Sequence, residues 1–127
     1  MAKMRDPTYY TLAVLLEGRA HGWAILDRVR DLTSGRVGLT AGTLYGTLDR
    51  LIDEELIRRA GTEVVRGRAR QYFEITKKGS GAVQLEADAR AEDAAVVHGV
   101  AKRRDGARRA GNRPVPRISY GSPALSG

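Results

Sequence analysis

Two sets of side chains in this 127-residue sequence have the types and spacing to act on a ligand. One is Thr43, Gly46, Thr47 and Arg50, small or hydrogen-bonding groups with one long cation, on a segment whose apolar residues fall at other positions. The other is Arg58, Arg59, Arg66, Arg68 and Arg70, a basic cluster offset by Glu63. Guanidinium groups make paired hydrogen bonds to phosphate and fit a narrow minor groove. Covalent chemistry has no such support. There is no cysteine, so thiolate metal sites, disulfides and cysteine catalysis are excluded. His21 and His98 lie far apart, neither with a second ligand at helical spacing. No nucleophile, base and orienting group occur together, and Asp53-Glu54-Glu55 reads as a solvated helix end. We expect no enzyme, no metal and no cofactor.

The first set sits in the segment Leu39–Ile52. Leu44, Leu48, Leu51 and Ile52 recur at three-and-four spacing, which predicts a helix with one apolar stripe and Tyr45 at its margin. Thr40 suits the N-cap, and the helix should fade near Glu54 or Glu55. Its bare side would suit a major groove; a plain solvated face is the other reading. Arg50 faces either a ligand or an intrahelical ion pair with its acidic neighbours.

Two helices are expected before this one. Asp6 followed by Pro7 reads as a cap and first turn, with Tyr9, Leu12, Leu15 and Leu16 following at helical spacing and Glu17-Gly18 at the end. The second runs from about Trp23 to Leu32, with Ile25, Leu26, Val29 and Leu32 inward. Trp23 reads first as a core residue and second as a platform for an effector, while His21 orders the turn before it. From Ile57 the period changes to that of strands. Ile57 to Val65 and Arg70 to Thr76, separated by Arg66-Gly67-Arg68-Ala69, read as a hairpin with Phe73 and Ile75 on one face. Thr76 caps a last, alanine-rich helix from about Lys77 to Val97, and Gly99 marks its end.

Helix, helix, helix, strand, strand, helix is the order of a winged helix-turn-helix: mainly α, with a small β-hairpin and a C-terminal helix. We expect a winged-helix domain over residues 1–79, a C-terminal helix over 80–100 as a dimerisation element, and a basic, disordered tail over 101–127. The formal charge of +7 belongs mostly to that tail, which holds seven of the 22 basic side chains and one acid. Residues 1–100 are then near neutral, so local patches must carry any electrostatic argument. The longest apolar run, Leu12 to Leu16, is far too short to span a membrane, and the sequence reads as soluble and cytoplasmic.

Several ordered motifs resemble the PadR-type transcriptional regulators: His21-Gly22-Trp23, then Gly42-Thr43-Leu44-Tyr45 with Leu48 and Leu51, then Arg70-Gln71-Tyr72-Phe73-Glu74-Ile75-Thr76-Lys77-Lys78-Gly79. The likeness covers about residues 8–95. It implies a repressor that binds a palindromic site on double-stranded DNA as a homodimer through its last helix, and that a small hydrophobic effector releases. By position, Thr40, Ala41, Thr43, Tyr45 and Thr47 would lie at the groove, and Arg66, Arg68 and Arg70 on the wing. Glu55 stands before Leu56 where the family usually has Gly, which should shift how the recognition helix ends. A second function class stays open: a non-specific nucleic-acid or partner-binding adaptor whose affinity comes from the basic tail.

Overall fold

The computed structural model describes residues 3–111, with side chains to Arg109. In chain order the elements are α1 (Asp6–Leu15), β1 (Ala20–His21), α2 (Gly22–Leu32), α3 (Ala41–Asp53), β2 (Ile57–Val65), β3 (Arg68–Ile75) and α4 (Lys77–Gly111). This is the expected winged helix-turn-helix with one added strand. β1 pairs with β3, Ala20 opposite Phe73 and His21 opposite Tyr72, making a three-stranded antiparallel sheet of order β1-β3-β2.

The chain divides into two units, Met1–Ala89 and Arg90–Gly127. The first holds one core, built from Leu12, Leu15, Ile25, Val29, Leu44, Leu48, Leu51, Ile57 and Phe73, with Val83 from α4 joining it. Val83, early in α4, is thus part of this core. Burying such aliphatic side chains contributes about 1.5–3 kcal/mol each and dominates the stability of a domain this size.

Three N-caps mark where the helices start. Arg5, not Asp6, is the N-cap of α1, with no side-chain capping bond, and Asp6 and Pro7 lie in the first turn, where an acidic side chain suits the helix dipole and a missing amide costs nothing. At α2, His21 Nδ1 accepts from the Ala24 amide at 3.4 Å, so the histidine caps the helix it precedes. At α3, Thr40 Oγ1 accepts from the Thr43 amide at 3.1 Å, as expected.

The end of α3 corrects the sequence reading. Leu56 N donates to Leu51 O at 2.9 Å and Glu55 N to Ile52 O at 2.9 Å, the paired bonds of a Schellman motif. Glu55 adopts φ 63° to make it. The glutamate therefore does not shift the helix end; it accepts the left-handed conformation at a cost of about 1 kcal/mol, since Leu56 is drawn into the core beside Leu51.

Further departures have similarly local causes. Leu32 is exposed because Thr33 takes the inward position one residue later, donating to Val29 O at 2.9 Å. The hairpin loop is only Arg66-Gly67, both at positive φ (52° and 77°), so β3 begins at Arg68 with Val65 opposite it. This is the backbone of a tight hairpin turn, in which glycine fits at the second position. Gly99 does not end α4, which continues to Gly111. Ala101, Lys102, Arg103, Arg104, Ala107, Arg108 and Arg109 are strong helix formers that override two isolated glycines. The remainder of the expected disordered tail, residues 112–127, lies outside the described residues.

Candidate nucleic-acid interface

α3 is held against the scaffold from both ends. At its C-terminal end, Thr76 Oγ1 donates to Glu55 O at 2.7 Å and accepts from the Gly79 amide at 3.0 Å, capping α4 on the same atom. A Cβ on buried Gly79 would collide with the Leu56 carbonyl, so only glycine lets α4 start this close. At the N-terminal side, Tyr45 reaches over the start of α2. A Cβ on buried Gly22 would collide with the Tyr45 hydroxyl. The glycine of His21-Gly22-Trp23 and the tyrosine of Gly42-Thr43-Leu44-Tyr45 are thus two halves of one contact.

The exposed side of α3 is smaller than expected. Thr40, Ala41, Gly42, Thr43 and Gly46 are exposed, and Tyr45 is about half exposed at 48%. Thr47 is not on that side: it is buried at 6%, between Leu44 and Leu48 on the inward stripe. Arg50 is exposed but engaged, donating from Nη2 to Thr8 Oγ1 and lying 3.7 Å from Glu54. It therefore ties α3 to α1, the ion-pair reading extended by a contact to another helix.

Two grooves border this face. One, about 680 Å³, runs between α3 and the segment before α1, where Lys3, Arg5 and Thr8 meet Thr43, Thr47 and Arg50. Lys3 and Arg5 carry no periodic or motif signal in the sequence that points to this face. The other, about 340 Å³, lies between α3 and the wing and is lined by Trp23, Tyr45, Arg66, Arg68 and Arg70 among others. Four expected site residues, Tyr45 and the three wing arginines, thus converge on one groove. Trp23 joins them, and it is not a core residue: it is 66% exposed.

The wing is braced from beneath. Arg19 donates to Ala60 O at 2.9 Å, at the irregularity where the β2–β3 register shifts between Arg59 and Thr62, and its guanidinium lies 4.5 Å from the Tyr72 ring centre. The Tyr72 hydroxyl donates to Glu63 Oε1 at 2.6 Å. That hydrogen bond, then desolvation and the Glu63 charge, holds the phenol above its ordinary pKa, against the opposing pull of Arg19 and Arg70. Across the strands Arg58 pairs with Glu74. Arg66 and Arg68 are exposed with no ion-pair partner among the described residues. Also among the described residues, no group of three His, Asp or Glu is placed to hold a metal ion, and no helix is long and apolar enough to cross a membrane.

A three-helix core, a capped third helix with a bare side and an arginine-tipped hairpin beside it define the winged helix-turn-helix class. Residues 11–85 match the transcriptional regulator PadR-like family, and the chain belongs to that family. No curated protein sequence matches it. Among solved structures it resembles a PadR family regulator from Clostridium difficile R20291, with TM-score 0.66 and 19% identity over 76% of this chain and 98% of that one. A PadR-like transcription factor from Bacteroides fragilis aligns with TM-score 0.58 and 28% identity, over 72% and 86% of the two chains. Bacillus subtilis PadR in complex with operator DNA aligns with TM-score 0.57 and 20% identity, over 63% of this chain and 45% of that one.

Proposed function

We propose that this regulator is a repressor that binds a palindromic operator as a homodimer, with α3 in the major groove and the β2–β3 wing on the adjacent backbone or minor groove. The observation that carries the reading is the convergence of Tyr45, Arg66, Arg68 and Arg70 on one groove beside the exposed, small-residue side of α3. Bacillus subtilis PadR, a structural neighbour, is itself described with operator DNA. Small residues allow the helix to approach base edges, and Thr40, Ala41 and Thr43 are its contacts; the wing arginines neutralise phosphates. Such a role belongs in the cytoplasm.

Dimerisation has support of its own. Within the second unit, Val96, Val97 and Val100 fall on one helical stripe and are all exposed. A second copy is the occupant that a palindromic operator requires. Release by a small hydrophobic effector is supported by the family likeness.

In vitro selection of duplexes, followed by binding measurements at physiological salt, tests the reading. A two-fold symmetric site preferred at least about 1,000-fold over random sequence is expected. The adaptor alternative draws on the basic residues beyond position 100. Replacing Lys102, Arg103, Arg104, Arg108 and Arg109 by glutamine keeps helix propensity and removes charge. A repressor keeps its sequence preference in that variant, whereas an adaptor loses most of its binding.

A further inference from the structure

The geometry points to Trp23 as a DNA-backbone contact, its indole lying on a deoxyribose and its Nε1–H donated to a phosphate oxygen. This rests on the DNA-binding reading above and assigns it a residue outside both α3 and the wing.

Trp23 opens α2, whose inward positions are Gly22, Ile25, Leu26 and Val29. Residue 23 lies about 200° around the helix from Ile25 and about 60° from Leu26, at the edge of the inward stripe, and its side chain turns to the outer side. The largest side chain of the helix thereby stands in water, 66% exposed, where its apolar area gains nothing from folding. Its surroundings are specific. It lines the groove with half-exposed Tyr45 and with Arg66, Arg68 and Arg70, and no carboxylate is among the described residues lining it. Gly22 fixes the arrangement, because its missing side chain lets Tyr45 sit against the start of α2 beside the indole.

The occupant that complements such a wall is an anionic chain with apolar sugar faces. Indole is a donor without an acceptor, so its polar edge suits a phosphate oxygen, and its flat face suits a sugar or a ring. A neutral hydrophobic effector would leave Arg66 and Arg68, which have no ion-pair partner among the described residues, without counter-charge. The duplex backbone offers phosphate to the arginines and the indole N–H, and a sugar to the indole face.

Trp23 is the sole tryptophan of the chain, so its fluorescence is a direct reporter. The full-length protein is titrated with a selected operator duplex carrying a fluorescein label. Binding is followed by label anisotropy, and indole exposure by acrylamide quenching of the free and bound protein. Expected is strong quenching in the free protein and clear protection at the duplex concentrations that saturate the anisotropy. Trp23→Ala should weaken binding about tenfold, and Trp23→Phe about threefold, because the ring is kept and the donor lost. Both variants should melt within a few degrees of wild type, since the side chain is exposed. Saturating anisotropy with unchanged quenching and wild-type affinity in Trp23→Ala overturns the assignment while leaving the DNA-binding reading standing. No anisotropy change even at low salt overturns both. Protection of the indole by a phenolic acid in place of DNA overturns the assignment in favour of an effector platform.

Discussion

α3 and the wing use their polar side chains in opposite ways. On α3, Thr40 caps the helix, Thr47 is buried and Arg50 is held by Thr8 and Glu54, so the polar groups largely serve the protein itself. What remains exposed near the start of the helix is small apart from half-exposed Tyr45. On the wing, Arg66 and Arg68 are held by no ion pair among the described residues, while Arg19, Tyr72, Glu63 and Gln71 brace the strands beneath. The helix is therefore a surface fixed by the protein's own contacts and open to close approach, and the wing an exposed set of charges on a braced stem. Sequence preference should reside in the first and salt-dependent affinity in the second.

The largest expected effect comes from cutting the element that holds the two together. Gly79→Ala drives a methyl group into the Leu56 carbonyl, which backbone geometry prevents from yielding. A loss of about 3 kcal/mol in denaturant unfolding is expected, with preference and affinity failing together. A variant that folds and binds normally would mean that helix and wing are not coupled through this joint.

Next comes the direct separation. Replacing Arg66, Arg68 and Arg70 by glutamine should weaken binding about 100-fold near physiological salt and flatten the plot of log affinity against log salt by up to about 2.7. The ranking of operator variants should survive. Ala41→Ser with Thr43→Val, which leaves the Thr40 cap in place, should do the reverse, altering the ranking with little change in slope. If the helix pair changes the slope more than the wing triple does, the division of labour is wrong.

A smaller effect, of opposite sign, sharpens the view of α3 as a scaffold-locked surface. Glu55 holds φ 63° to close the Schellman motif. Glu55→Gly removes the steric cost of that conformation, and a gain of about 1 kcal/mol in stability is expected with DNA affinity unchanged. A loss of stability would mean that the glutamate side chain contributes an interaction that outweighs its backbone.

Much of this arrangement was legible in the sequence because it rests on local rules. The leucine stripe of α3, the Thr40 and Thr76 caps and the hairpin each follow from spacing within a few residues. Other positions depart from expectation where residue type and spacing disagree. Thr47 lies three after Leu44 and four before Leu51, inside the stripe, although its polarity suggests an outward place. Trp23 lies at the margin of the stripe defined by Ile25, Leu26 and Val29 and is exposed, although its aromatic ring suggests an inward one. The third group had no local signal. β1 is two residues long, too short for alternation to register, and the Gly22–Tyr45 contact joins motifs far apart in the chain. Charge misled in α4, where arginine-rich sequence read as a tail although arginine and alanine favour helix.

The smallest effect tests the stiffened stem. Tyr72 donates to Glu63 and its phenol is held above the usual tyrosine range, chiefly by that hydrogen bond. A group whose pKa is raised on folding stabilises the fold fully at pH values below its unfolded pKa, and that contribution is lost as pH rises through the folded value. The Tyr72 contribution should therefore persist through neutral pH and fade only in the alkaline range where tyrosine ionises. Lysines titrate nearby, so the comparison must be with Tyr72→Phe, which lacks the donor at every pH. Wild type should melt slightly higher than Tyr72→Phe at neutral pH, and the gap should close on alkaline titration as tyrosinate absorbance grows in. The four other tyrosines are common to both proteins and cancel in the difference spectrum. A gap that is absent at neutral pH, or a Tyr72 difference spectrum titrating below the ordinary phenol range, would show that the brace does not hold the wing and that its arginines sit on a looser stem than Glu63 and Arg19 suggest.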